Sequence, residues 1–90
     1  MQSKPLTSAQ IRAARALLRW TVQNLAREAA LGVATIKRAE ASEPETSMTT
    51  ANDLAVRRAL ESAGIEFIDE NGGGPGLRLR KRQGSKTPRK

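Results

Sequence analysis

The sequence predicts a mostly α-helical domain: four short helices followed by a small C-terminal β-hairpin. Three observations lead there. Apolar residues recur at helical spacing in the segments around residues 8–19, 22–29, 33–40 and 51–63. Hydroxyl or glycine cap signals precede each of them. After Gly64 the period changes to two, in a pair of runs that flank a Gly-rich stretch.

The first helix is announced by "TSAQ", Thr7 to Gln10. A hydroxyl at the cap and a Gln three residues on make the capping-box spacing, and Leu6 stands where it can staple onto Ile11. Ile11, Ala14 and Leu18 then form one stripe and Arg12, Arg15 and Arg19 another, so one stripe packs and the other is expected to be wet. Trp20 and Thr21 mark a break and a new start, with Thr21 as N-cap and Trp20 stapled toward Leu25. The tryptophan is read as core rather than as a binding anchor. Leu25, Ala26 and Ala29 give the second helix small inward residues that permit close approach by a neighbour.

Gly32 caps the third helix, "VATIKRAE", in which Ile36 points inward. Residues 33, 34, 37 and 38 fall on its outer face. "ASEPETSM" reads as an acidic loop, with Glu43 kept out of the α region by Pro44. Thr50 is the expected cap of the fourth helix, with Asp53 favourable near its N-terminal dipole. Leu54, Val56, Ala59, Leu60 and Ala63 supply its apolar side, and Gly64 ends it. In the hairpin, Ile65 and Phe67 share one face and Glu66 and Ile68 the other. Leu77 and Leu79 are likewise set against Arg78 and Arg80. "NGGGPG" is no dinucleotide fingerprint, because no helix start follows it. The expected organisation is a helical domain over 1–64, the hairpin over 65–81 and a basic disordered tail over 82–90.

Ninety residues hold one small core at most. The chain contains no Cys and no His, which excludes disulfides, Cys/His zinc sites and histidine acid–base chemistry. The carboxylates cluster in a loop and a helix with no apolar pocket around them, so no enzyme, no metal and no cofactor is expected. "MQSKPLTSAQ" lacks a signal-type apolar run and no stretch has the apolar length of a membrane span, so a cytoplasmic protein without membrane association is expected. No small-molecule ligand is evident.

The net charge is +7, and its distribution is more informative than its sum. Residues 1–38 hold seven Lys/Arg against one acid, residues 39–76 two against eight, and residues 77–90 seven against none. A basic first block suits a phosphate-facing surface. It equally suits a solvated helix face with a solubilising tail.

Two short helices joined by a tight turn form the helix-turn-helix arrangement. With a basic outer face, the second of them can enter the major groove of DNA. There Val33 and Ala34 can touch thymine methyls, Arg38 can fork onto guanine, and Lys37 can reach a base or a phosphate. Thr21, Gln23 and Thr35, with the backbone amides at the helix starts, suit phosphate positioning. Periodicity alone fits a miniature helical domain solvated by its arginines just as well.

The stretch "ARALLRWTVQNLAREAALGVATIKRAE", Ala14 to Glu40, resembles the helix-turn-helix of the Xre/Cro-type phage-repressor family of bacterial regulators. The matching positions are Leu25-Ala26, Thr35-Ile36, Arg38 and Glu40. With "GIEFIDENGGGPGLRLRK" the chain is similar to very short regulators common in α-proteobacteria, some encoded on mobile elements. The likeness spans about residues 8–81. It implies base reading by Val33, Ala34 and Arg38 with Lys37 near the groove, and backbone contact near Thr21 to Gln23. Two positions depart from the family pattern. Val22 stands where the family has a Gln, with Gln23 one place on, and Ala30 stands where it has the turn glycine.

A lone two-stranded hairpin is marginal in water. Ile65, Phe67, Leu77 and Leu79 therefore either pack on the helices or meet a second copy, and a homodimer through the hairpin and fourth helix is the favoured expectation. The resulting reading is a DNA-binding transcriptional regulator, with double-stranded operator DNA as partner and repression as the expected sign. The reading of a different class is a protein-interaction module, such as an antitoxin or anti-activator.

Overall fold

In the computed structural model, which describes residues 5–43, 45–68, 74 and 76–80, each helix but the third starts at a threonine. Thr7 Oγ1 accepts from the Gln10 amide at 3.1 Å and Gln10 Oε1 accepts from the Thr7 amide at 3.0 Å. This capping box opens α1, Ser8–Leu18. Thr21 and Asn24 form a second reciprocal box, at 3.0 and 2.9 Å, ahead of α2, Val22–Ala29. Helix α3, Val33–Ala41, starts at Gly32 with no side-chain cap.

Helix α4, Thr50–Ser62, is capped by Thr49 and not by Thr50. Thr49 Oγ1 accepts from the Asn52 amide at 3.1 Å, and Thr50 is the first helical residue. Adjacent threonines offer the same hydroxyl, and tertiary packing selects between them. With Thr49 at the cap, Val56 and Leu60 are buried, and the buried Asp53 carboxylate accepts from the Leu6 amide at 3.0 Å. That bond, with a bridge between Thr7 and Glu45, ties the chain entering α1 to the start of α4.

The core is assembled mainly from one side of each helix: Ile11 and Ala14, Leu25 and Ala26, Ile36 and Ala39, Val56 and Leu60. Leu6 and Ile65 close it at either end of the helical segment. Trp20 and Leu31 pack against it half-buried. Leu54 departs from the expected apolar side of α4, since it is 44 % exposed. It lies about 100° or more around the helix from Val56, Leu60 and Asp53, at roughly 100° per residue.

Strands β1, Ile65–Ile68, and β2, Gly76–Leu79, pair antiparallel with Ile65 opposite Leu79 and Phe67 opposite Leu77. The hairpin shares the helical core. Ile65 is fully buried and Phe67 and Leu77 are half-buried against the core, whereas Leu79 remains 41 % exposed. Gln10, already in the capping box, donates from Nε2 to the Gly76 carbonyl at 3.0 Å and so fastens β2 to α1. Gly64 has φ +111°, a conformation open to glycine and strained for other residues. Its carbonyl accepts from the Arg80 amide at 2.7 Å, so the turn out of α4 is also a closing bond of the hairpin. The Arg57 guanidinium lies 5.1 Å from the centre of the Phe67 ring. The Gly-rich connection at 69–73 and the basic tail lie outside the described residues. Among those described, no helix is long and apolar enough to cross a membrane.

On the outer face of the hairpin, Arg78 forks onto Glu66, Nε to Oε1 at 3.1 Å and Nη2 to Oε2 at 3.3 Å. These bonds, and the charge behind them, hold the Glu66 carboxyl below the usual carboxylate range. A lowered folded-state pKa supports the hairpin at neutral pH, and that support is lost as the pH falls through the lowered value. In a carboxyl-carbon NMR titration, Glu66 should therefore have a midpoint below that of a free glutamate. Arg78→Gln should bring it up into the ordinary range, and an unmoved midpoint would refute the pairing.

Candidate nucleic-acid interface

Helix α3 has nine residues, too few to hold itself together in water. Its position is set from α1. The Arg15 guanidinium forks onto the Glu40 carboxylate, Nε to Oε2 at 2.7 Å and Nη2 to Oε1 at 2.8 Å. Its remaining nitrogen donates to the Trp20 carbonyl at 2.9 Å. The side chains are 23 % and 9 % exposed, and the hydrogen bonds that Arg15 donates to Glu40 raise its pKa above the ordinary value. Arg12 donates to the Glu40 carbonyl at 2.6 Å, near the C-terminus of α3, and pairs with Glu43 at 2.7 Å. Ser8 Oγ donates to the carbonyl of Ser42.

The expectation that Arg12 and Arg15 form a wet stripe is therefore corrected. Helical periodicity groups them on one face but does not tell what faces them. Two cations of the basic first block are engaged by two anions of the acidic middle block.

The turn between α2 and α3 has a left-handed residue at Ala30, where no glycine stands. Ala30 has φ 59° and ψ 43°, and the Leu31 amide bonds to the Ala26 carbonyl at 2.9 Å. The end of α1 is built the same way. Arg19 has φ 60° and the Trp20 amide bonds to the Arg15 carbonyl at 2.9 Å. In each case a left-handed residue is followed by a half-buried apolar one, the Schellman arrangement. Trp20 and Leu31 are thus equivalent anchors, a role visible in the sequence only as two apolar residues just past helix ends.

Of the residues expected to read bases, Ala34, Lys37 and Arg38 are exposed on α3, while Val33 is half-buried and packs partly on the core. Of those expected to meet phosphates, Thr21 and Gln23 are exposed at the start of α2 and Thr35 is half-buried. Thr21 Oγ1 already accepts the Asn24 amide, which leaves its hydroxyl proton to donate. Among the described residues the side chains of Arg19, Arg27, Lys37 and Arg38, all of them exposed, take part in no ion pair or hydrogen bond. Arg19 and Arg27 were not singled out as site residues. Their sign was visible, but their freedom from carboxylates shows only once the acids are placed.

For the hairpin the geometry divides the four residues expected at a dimer contact. Ile65 is fully buried in its own protomer and so offers a partner no surface. Phe67 and Leu77 are half-buried against the core, and Leu79 remains accessible. The alternation was right; the helices are what it faces.

No protein-family model matches the chain, and no curated protein matches its sequence.

Removing Glu40 leaves Arg15 partly buried without its partner. Glu40→Ala should cost about 3 kcal/mol in urea unfolding, the lower part of the range for a broken buried pair because Arg15 keeps some solvent. A loss under about 1 kcal/mol would mean that the fork is an ordinary surface pair. Ala30→Gly removes a left-handed strain of about 1–2 kcal/mol and adds unfolded-state entropy of about 0.5–1 kcal/mol. It should raise stability by about 0.5–1 kcal/mol, read as a higher melting temperature, and a lower one would contradict the turn geometry.

Proposed function

We propose that this protein is a sequence-specific DNA-binding transcriptional regulator that reads the major groove with α3. The observation that carries this reading is the partition of its charges. Arg12 and Arg15 are engaged inside the domain, whereas Lys37 and Arg38 stand exposed on α3 beside Ala34, with Arg19 and Arg27 exposed nearby in sequence. Side chains of that kind on the first turns of the second helix of a helix-turn-helix suit base edges flanked by phosphates. Arg38 is assigned to a guanine, Ala34 and the exposed part of Val33 to thymine methyls, and Lys37 to a base or phosphate. Thr21, Gln23 and Thr35 are assigned to the backbone.

Repression by occluding a promoter is the simplest action for such a domain, and the cytoplasm is where it would meet its operator. Two protomers on two half-sites about 34 Å apart are the usual mode of binding for this arrangement.

The test is fluorescence anisotropy on DNA from upstream of the protein's own gene, against scrambled DNA, across a salt series. Preference for the upstream DNA should persist at about 150 mM salt. Arg38→Ala should cost about 1–3 kcal/mol and relax one base position. Equal, steeply salt-dependent binding to both DNAs would leave only a basic protein, and the reading would fall.

A further inference from the structure

One face of the domain is left without a partner by everything described so far. Between α2 and α4 lies an open groove of about 270 Å³, floored by Ala29, Ala55 and Ala59 and edged by Glu28, Arg58 and Ser62. Its two charged walls carry opposite signs. Among the described residues neither Glu28 nor Arg58 is in an ion pair, with each other or with any third group. Leu54 stands one turn before Arg58 on the same side of α4, 44 % exposed. The surface therefore combines an apolar knob, an alanine-lined hollow, an unpaired anion and an unpaired cation.

We propose that this groove is where a second copy of the chain docks, across a two-fold axis. A two-fold interface requires one patch to complement itself, so that residue i meets residue j and j meets i. Here Leu54 of each protomer enters the alanine hollow of the other, and Arg58 of each reaches Glu28 of the other. A foreign partner would need only one half of this set, a knob or a hollow, one sign or the other. The full set on one patch favours the second copy. The groove includes no residue of α3 and none of Thr21 to Gln23, so docking there leaves the exposed cations of α3 free. This contact lies away from the inner hairpin face, which packs on the core, and it does not depend on DNA.

Sedimentation of the full chain at tens of micromolar, without DNA, tests it. The wild type should sediment at twice the chain mass. Leu54→Glu should weaken dimerisation by about a hundredfold, because each lost contact is counted twice across the axis, with an unchanged helical circular dichroism spectrum. Glu28→Arg and Arg58→Glu should each weaken it as well, and the double reversal should restore it, which simple unfolding would not do. A wild type that sediments as a monomer overturns the proposal. So does a dimer that survives these variants but is lost in Leu79→Glu, an outcome that would place the contact on the hairpin. Failure here and failure of the DNA reading are separable, since anisotropy alone reports the latter.

Discussion

The architecture depends on the fork between Arg15 and Glu40. Three short helices around a core rich in alanine bury little apolar surface each, and none of the three is long enough to persist alone. Ile36 and Ala39 hold the inner face of α3 but leave freedom to slide and roll, since the apolar effect has no direction. The bidentate pair supplies the missing direction. It fixes the last turn of α3 against the last turn of α1 through two parallel bonds, and the third nitrogen of Arg15 holds the chain as it leaves α1. One guanidinium thus sets both the orientation of the third helix and the path into the second.

Gln10 does for the hairpin what Arg15 does for α3. Its carbonyl oxygen closes the cap of α1 and its amide nitrogen binds the Gly76 carbonyl, so helix start and strand are held by one side chain. The hairpin, marginal by itself, is stabilised by surrendering Ile65 to the helical core. The bond from Arg80 to the Gly64 carbonyl then requires the end of α4 and the end of β2 to form together. Helices and hairpin form one cooperative structure, and this is why the inner face of the hairpin is not spare surface.

Local chemistry was legible in the sequence. The capping box at Thr7, the break at Trp20, the glycine ending α4 and the alternation of the strands are written in adjacent residues and reappear in the structure. What depends on distant residues was not legible. Period 3.6 places Arg12, Arg15 and Arg19 on one stripe, but only the fold shows that carboxylates from the last turn of α3 and the loop after it meet the first two and not the third. The shift of the cap from Thr50 to Thr49 follows from Asp53 reaching Leu6, forty-seven residues away. Leu54 looks like core by composition, and it is exposed because nothing in the described chain lies above it. For the proposed reading residues, the sequence indicated the exposed face of α3. It did not distinguish half-buried Val33 from open Ala34, a difference set by how far the first turn leans on the core.

The same separation of charges bears on how tightly one protomer could hold DNA. With Arg12 and Arg15 engaged internally, the exposed cations on the first three helices and their turns are Arg19, Arg27, Lys37 and Arg38. If all four met phosphates of a duplex, counterion release would give a salt slope of about −3.6. Every cation spent on a base edge would make it shallower, so the proposed base reading by Arg38 would come out of the same small store as affinity. Four contacts suffice for weak non-specific association. Specific affinities at physiological salt need more, and a second protomer doubles the phosphate contacts while adding a second set of base contacts. A domain that uses its arginines to fix the helix proposed to read DNA would therefore gain most from acting in pairs. The groove between α2 and α4 offers a surface for that pairing which uses none of the exposed cations of α3.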